Sequence, residues 1–381
     1  MSVELAILTG QLGTVSETFI RRHIEGIAPG RSIAVANRSS HPLGGRWKAS
    51  CPTLFLDEVL LPVRLIRRLG IAPNRFQDLM LARFLRNHRP TVALLEYLDE
   101  FIDSVPILEK LGIPYVVQAH GIDVSAALRR SGMAARCLGY RSARAILTRC
   151  NFHRRRLIDL GLPAERIHVN PGGVDIPDQV PPRDSAAAKR FVAIGRMVPK
   201  KGPIYLLESF RLAMQNDAAI TLDYVGAGGE FLTAAHQFVD AAGLGGRIRL
   251  HGMAPDALKD ELLVSCGTLV QHSITDPDTG DEEGLPACIQ EAMAAGMAVV
   301  STRHSGIPEA VRDGVTGLLV EERDCGAMAA ALLRLAVTPE LAKAYGAAGR
   351  EIAAAEYSWD SERARLRRHL FDPETPVRSY S

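Results

Sequence analysis

The chain has 381 residues, 47% hydrophobic and 23% charged, a balance that excludes intrinsic disorder, collagen-like repeats and low-complexity scaffolds. At roughly 150 residues per domain the length predicts two domains. Net charge is +2 and only 6% of residues are aromatic, so the sequence excludes a nucleic-acid-binding surface of basic side chains interleaved with aromatic ones.

Charge is unevenly spread, with 25 Lys+Arg against 17 Asp+Glu up to Ser185 and 20 against 26 beyond it. The basic first half suits an anionic surface or ligand. The first residues carry an acid, Glu4, and no basic n-region, which predicts a cytoplasmic chain without a cleaved secretory signal. The longest stretch free of Asp, Glu, Lys and Arg is 262–275, too short to span a bilayer. Cys51, Cys137, Cys150, Cys266, Cys288 and Cys325 form no C-x-x-C pair, and small buried thiols are expected rather than disulfides or a zinc site.

In chain order, apolar runs at 3–9, 91–95, 115–119, 145–148, 191–194, 220–225, 268–271 and 299–302 are each followed by a helical pattern. Runs that are apolar throughout predict strands covered on both faces, hence an α/β, doubly wound, parallel architecture. A helix is expected over 16–27, with Phe19, Ile20, His23, Ile24 and Ile27 inward and a Thr14-x-x-Glu17 capping box. Residues 55–69 and 75–88 have basic and apolar helical faces. These suit an interfacial membrane helix, although an ordinary domain helix looks the same. Residues 170–185 hold four prolines and two glycines and break the rhythm. The expected domains are 1–178, a linker at 179–188, a second domain at 189–356, and a C-terminal helix and tail at 357–381. A further helix is expected over 202–214. In the last helix Arg363, Arg365, Arg367 and Arg368 read as a solvated face.

The chemistry concentrates in 276–309. Pro286 suits the first residue of a helix, so 284–287 present backbone N–H groups and the positive end of a helix dipole to an anion. Glu291 lies in an apolar stretch of that helix and needs a partner, either an internal cation or a ligand hydroxyl. Glu283 stands just before the same turn. Arg196, Lys200 and Lys201 follow the strand 191–194, where loops at strand ends line the ligand crevice of open α/β sheets. Arg196 suits bidentate contact to phosphate and Lys201 a point charge. Asp276-Pro-Asp278 imitates a metal-binding Asp-x-Asp. Gly226-Ala-Gly228-Gly229 imitates a dinucleotide-binding turn with imperfect spacing.

Together these segments resemble a retaining glycosyltransferase of family 4. The resemblance rests on Glu283 and Glu291 spaced as E-x7-E within Glu-Gly-Leu-Pro…Glu-Ala-Met-Ala-Ala-Gly, and on the Val-Val-Ser-Thr…Gly-Ile-Pro-Glu-Ala-Val that follows. It extends to Gly195-Arg196…Lys-Lys201-Gly, His120-Gly121 and Asn170-Pro-Gly-Gly-Val-Asp175, so both halves are covered.

The resemblance implies the GT-B fold, two Rossmann-like domains facing each other across a cleft with the C-terminal helix crossing back. It implies that Arg196 and Lys201 neutralise the donor pyrophosphate and that Glu283 holds donor-sugar hydroxyls. The turn Gly284-Leu285-Pro286 then borders the donor, Glu291 holds the ribose and Gly252 reads the base through its backbone. Gly13, in the loop 10–14, approaches donor and acceptor, and His120 lies beside the transferred sugar. For His120 a satisfied core position is an equal alternative. No cofactor and no metal are implied. The insert 276–283 and Thr302-Arg-His304-Ser-Gly306 resemble the branch that builds exopolysaccharides such as colanic acid, and Ser16-Glu-Thr-Phe-Ile20 agrees. Met297-Ala298 departs from the proline usual before that strand. The implied partners are a UDP- or GDP-sugar and a glycan or polyprenyl-diphosphate-linked acceptor, with peripheral contact at the inner membrane face. Other functions open on the residues are a sugar-nucleotide epimerase of this fold, a transferase with a small-molecule acceptor, an NAD-dependent oxidoreductase and a non-catalytic nucleotide-binding subunit.

Overall fold

The computed structural model describes residues 2–13, 18–39, 49–58, 73–180, 182–217, 219–226 and 228–372. The chain divides into two compact units. One draws on Met1–Thr148, Arg154–Asn170 and Arg363–Ser381, the other on Arg149–His153 and Pro171–Glu362.

The first unit holds a seven-stranded sheet of β1 (Leu5–Gln11), β2 (Ser32–Arg38), β3 (Thr53–Phe55), β4 (Val92–Glu96), β5 (Tyr115–Gln118), β6 (Ala145–Thr148) and β7 (Ile167–Val169), in the order β3-β2-β1-β4-β5-β6-β7. All pairs are parallel. Every residue of β4, β5 and β6 is buried, as their apolar runs require, including the polar residues Glu96, Gln118 and Thr148 that close them. The second unit repeats the plan with β8 (Arg190–Ile194), β9 (Thr221–Val225), β10 (Ile248–Gly252), β11 (Thr268–Val270), β12 (Ala298–Thr302) and β13 (Gly317–Val320), ordered β10-β9-β8-β11-β12-β13 and again parallel. In β8, Phe191 and Ala193 join one apolar cluster with Phe210 and Leu332. Val192 between them joins another with Ile289 and Val299. The α/β, doubly wound expectation holds for both units. Strands 32–38, 53–55, 167–169, 248–252 and 317–320 were not among the expected elements.

Strand order reverses between β1 and β4 and between β8 and β11, and in open parallel sheets ligands bind beyond the strand ends at such switch points. The helix expected over 16–27 runs Thr18–Gly26, and the proposed capping pair lies outside the described residues. Most of 55–69 also lies outside them. The helix Pro73–His88 buries Leu81 and Leu85 in the core of its unit. Among the described residues no single helix is long and apolar enough to cross a membrane.

Two segments differ from their sequence reading. The proline-rich stretch from Pro171 onward belongs with the second unit. There Arg183 donates to the carbonyls of Cys266 at 2.8 Å, Leu263 at 2.7 Å, Ala295 at 2.8 Å and Gly296 at 3.1 Å. The arginines of the last helix, Trp359–Phe371, are not simply solvated. Arg365 reaches Asn170 Oδ1 at 3.0 Å, Arg367 donates to the Ile27 carbonyl, and Leu366 and Leu370 are fully buried.

The helix Pro203–Met214 starts from Gly202, which adopts φ +50°. A Cβ there would lie 2.3 Å from the His272 carbonyl oxygen, so the turn after β8 closes onto the strand end of β11 only with glycine. Gly202→Ala should therefore cost about 1–3 kcal/mol through overpacking and backbone strain. Urea unfolding of the variant is expected to show a lower midpoint with an unchanged slope.

Candidate functional site

In the second unit the switch point gathers the loop after β8 and the loop after β11. Glu283 stands at its centre, its side chain 12% exposed, with Lys201 Nζ at 3.2 Å and Lys200 Nζ at 3.6 Å. Burial would raise the Glu283 carboxyl, but Lys201 and Lys200 outweigh it and hold the group at about 2. Glu283 Oε1 accepts no hydrogen bond among the described residues. Lys200 also meets Asp281 at 2.9 Å. Burial pulls Lys200 down, yet Glu283 and Asp281 leave it above its ordinary value. Lys200 thus pins the acidic insert, a structural part that the sequence did not distinguish from its neighbour. Arg196 is different: it is exposed and makes no side-chain ion pair or hydrogen bond among the described residues.

The backbone of Glu283 is held by a histidine. Its N–H donates to His304 Nε2 at 3.1 Å, and His304 Nδ1 lies 2.6 Å from Glu322 Oε1. Because a backbone amide can only donate, Nε2 must be the unprotonated nitrogen and Nδ1–H points to Glu322. Gly284 packs with its Cα side against Arg149 and His153, and Gly306 N–H donates to the Gly284 carbonyl at 3.1 Å. Leu285 and Pro286 are buried. Pro286 immediately precedes the helix Ala287–Ala294 rather than opening it, and the first turn begins at exposed Ala287. Helix first turns leave N–H groups without helical acceptors.

Glu291, on that helix, pairs with Lys259 Nζ at 3.1 Å. Its partner is therefore an internal cation, and both side chains remain 28% exposed. Gly252 ends β10 at φ +63° with open space where a side chain would stand, and its carbonyl accepts from Gly226 N–H at 2.8 Å. Gly226 and Gly229 are explained by packing, since a Cβ on them would strike the carbonyls of Gly195 and Met197. Asp276 spends its carboxylate on its own turn, accepting from Asp278 N–H at 3.1 Å and from the Thr279 hydroxyl. Among the described residues no group of three or more His, Cys, Asp or Glu is placed to hold a metal ion. Glu309, inside the sequence motif, caps a helix start by accepting from Asn151 and Phe152 N–H at 2.9 and 3.1 Å.

In the first unit Gly13, at φ +93°, follows β1, and its neighbours 14–17 lie outside the described residues. His120 follows β5 and is 8% exposed. It contacts Glu96 at the end of β4, which also holds His23. Sequence reasoning singled out neither Glu96, which closes an apolar strand, nor His23, which lies on a core-facing helix stripe; an acid at the end of an apolar run was the available signal.

Comparison with known proteins matches residues 35–177 to the family model Glycosyltransferase Family 4 and residues 182–352 to Glycosyl transferases group 1. The chain is 35% identical over 184 residues to "Amylovoran biosynthesis glycosyltransferase AmsK" of Erwinia amylovora, covering 47% of this chain and 44% of that protein. It is 32% identical over 176 residues to "Putative colanic acid biosynthesis glycosyltransferase WcaL" of Escherichia coli, covering 46% and 43%. The matched part is under half the length of these relatives. Among solved structures, Anabaena Alr3699/HepE in complex with UDP aligns over 97% of this chain and 99% of its own, with TM-score 0.77 and 18% identity, which establishes the GT-B fold.

Glu96 and Glu283 both sit near 2, below the ordinary value of 4.5. Carboxyls depressed on folding contribute stability that is complete above the unfolded value and lost as pH falls through the folded one. Stability should thus decline from about pH 4.5 toward 2, and Glu283→Gln should be less stable than wild type at pH 7 with a shallower acid decline. Urea midpoints measured across that range check both.

Proposed function

We propose that this chain, which belongs to glycosyltransferase family 4, transfers a sugar from a UDP- or GDP-sugar to a glycan or lipid-linked oligosaccharide acceptor in bacterial polysaccharide synthesis, with retention of anomeric configuration. The observation that carries the reading is the second unit's switch point, where the loop after β8 brings exposed Arg196, with no side-chain ion pair or hydrogen bond among the described residues, and the Lys201–Glu283 pair precedes the helix Ala287–Ala294. The names of AmsK and WcaL support the exopolysaccharide setting, and the UDP in the HepE structure supports a nucleotide donor. Retention is read from the family resemblance.

When the glycosidic bond to the β-phosphate breaks, negative charge grows on the departing diphosphate. Arg196 grips two of its oxygens as a planar fork, Lys201 adds a compact charge, and the helix start offers N–H groups to the same anion. These fixed charges are oriented before the bond breaks, so little reorganisation opposes the step. A second cation, Lys200, stays on Asp281 and Glu283 and leaves Lys201 able to share itself between Glu283 and phosphate. No metal is required in this arrangement, because its task falls to the side chains and the dipole.

Glu283 Oε1, which accepts no hydrogen bond among the described residues, suits a donor-sugar hydroxyl. Glu291 keeps acceptor capacity beyond Lys259, so ribose hydroxyls can donate to it while the lysine holds it ionised. Leu285 and Pro286 line the turn, Gly252 leaves its backbone open to a base, and Gly13 and His120 serve the sugar and acceptor. A basic first half suits an anionic, membrane-borne acceptor.

Calorimetric titration of UDP and GDP with EDTA present tests the site. Wild type is expected to bind one of them without metal, and Arg196→Ala and Lys201→Ala each to weaken binding at least about tenfold. Turnover should fall by roughly two to three decades for either variant, the scale of losing one preorganised charge. Affinity indifferent to both substitutions would sink the donor-site assignment. A donor sugar epimerised without any acceptor would replace transfer with isomerisation.

A further inference from the structure

The acidic insert 276–283 is joined to the second unit at both ends by one carboxylate. Glu322, just past β13, accepts the Thr275 N–H at 3.1 Å through Oε2, and its Oε1 lies 2.6 Å from His304 Nδ1. His304 passes the hold across its ring, with Nε2 accepting the Glu283 N–H at 3.1 Å. Both ring nitrogens are thus engaged, and a backbone donor that cannot accept sets the tautomer, with Nε2 bare and Nδ1–H aimed at Glu322.

The surroundings keep this brace in place. The His304 side chain is 1% exposed. Two residues on, Gly306 N–H donates to the Gly284 carbonyl at 3.1 Å, so the loop after β12 grips consecutive residues, 283 through an acceptor and 284 through a donor. On the other side Arg323 donates to Glu322 Oε2 at 3.2 Å and to the Thr275 carbonyl at 2.9 Å, while its own N–H donates to His272 Nε2 at 2.8 Å. Ser305 and Arg323, the residues next to the two bracing side chains, hold φ +46° and +67°. Left-handed backbone is costly away from glycine and persists where the neighbouring structure over-determines it.

Between its ends the insert closes on itself, Asp276 N–H donating to the Asp281 carbonyl at 3.0 Å and Gly280 N–H to the Asp276 carbonyl at 2.8 Å. Lys200 and Lys201 attract the Glu283 carboxylate as point charges on long stems, which leaves its direction loosely defined. The joint at the Glu283 N–H is one bond from the Cα that carries the side chain, so whatever holds that joint directs the carboxylate.

We propose that His304 and Glu322 are positioning residues for donor-sugar recognition: the pair fixes the backbone of Glu283 and thereby the direction in which its carboxylate accepts from donor-sugar hydroxyls. The proposal rests on the donor-site reading for the sugar, whereas the tautomer and the hold on the insert stand apart from it.

Calorimetric titration of the full chain compares each free nucleotide with sugar nucleotides built on it, UDP with UDP-glucose and UDP-galactose, GDP with GDP-mannose. His304→Phe keeps a flat ring and removes both nitrogens, Glu322→Ala removes the anchor, and His304→Gln keeps an amide oxygen near the Nε2 position. In His304→Phe and Glu322→Ala, affinity for free nucleotide should stay at the wild-type level while affinity for the sugar nucleotide falls about tenfold, the scale of one misdirected hydrogen bond to a charged group. His304→Gln should recover most of that loss, which a role in packing alone would not allow. Without ligand, long-range imidazole 1H–15N spectra should place the His304 proton on Nδ1. Deuterium exchange of peptides covering 275–285 should be faster in His304→Phe and near wild type in His304→Gln.

Sugar-nucleotide affinity unchanged in both His304→Phe and Glu322→Ala, or a His304 proton on Nε2, overturns the proposal. If wild type binds neither nucleotide, the donor-site reading falls and takes the sugar role with it, even where spectra and exchange bear out the brace. Should His304→Phe not fold, Glu322→Ala and the wild-type spectrum decide.

Discussion

Parallel strand pairing is the constraint from which the rest of this protein follows. A strand can be followed by a parallel neighbour only if the chain returns across the sheet, so every strand ends on the same edge. Loops of unrelated sequence are thereby delivered to one place. In the first unit that edge receives the ends of β1, β4 and β5, with Gly13, Glu96 and His120. In the second it receives the ends of β8 and β11, with Arg196, Lys201 and Glu283. Chemistry can vary by loop while the buried strands stay apolar and anonymous.

The two edges handle charge differently. Around Glu283 the acids and bases are mixed and partly exposed, with Lys200 consumed internally and Arg196 unspent among the described residues. Around Glu96 one carboxylate is sealed between two imidazoles. The first arrangement suits an anion that brings its own charge.

Much of this was legible in the sequence, and the reasons for the rest are physical. Strands at 91–95, 115–119 and 299–302 announce themselves by consecutive apolar residues without polar alternation. The strand Thr53–Phe55 has only three residues, too short for any periodicity, and Ile248–Gly252 mixes Arg249 and His251 into its run. Arg196, Lys201, Glu283 and Glu291 stood out because charged groups beside glycines and apolar helices need an explanation. That Glu291 meets Lys259, and Lys200 meets Asp281, depends on distances across 32 and 81 residues of chain that no local pattern encodes. Glu96 and His23 were hidden for the same reason, 73 residues apart and each in a segment that reads as core.

The last helix carries a different kind of consequence. Its residues from Arg363 fold with the first unit, where Arg365 holds Asn170, Arg367 holds the Ile27 carbonyl and Arg144 holds that of Leu370. Domains emerging from the ribosome generally fold in the order of synthesis. Here the unit begun first is completed last, because two of its buried leucines, Leu366 and Leu370, are added only after the whole second unit has been made. During synthesis the second unit can close its own core while the first still waits, open along the surface its final helix will cover.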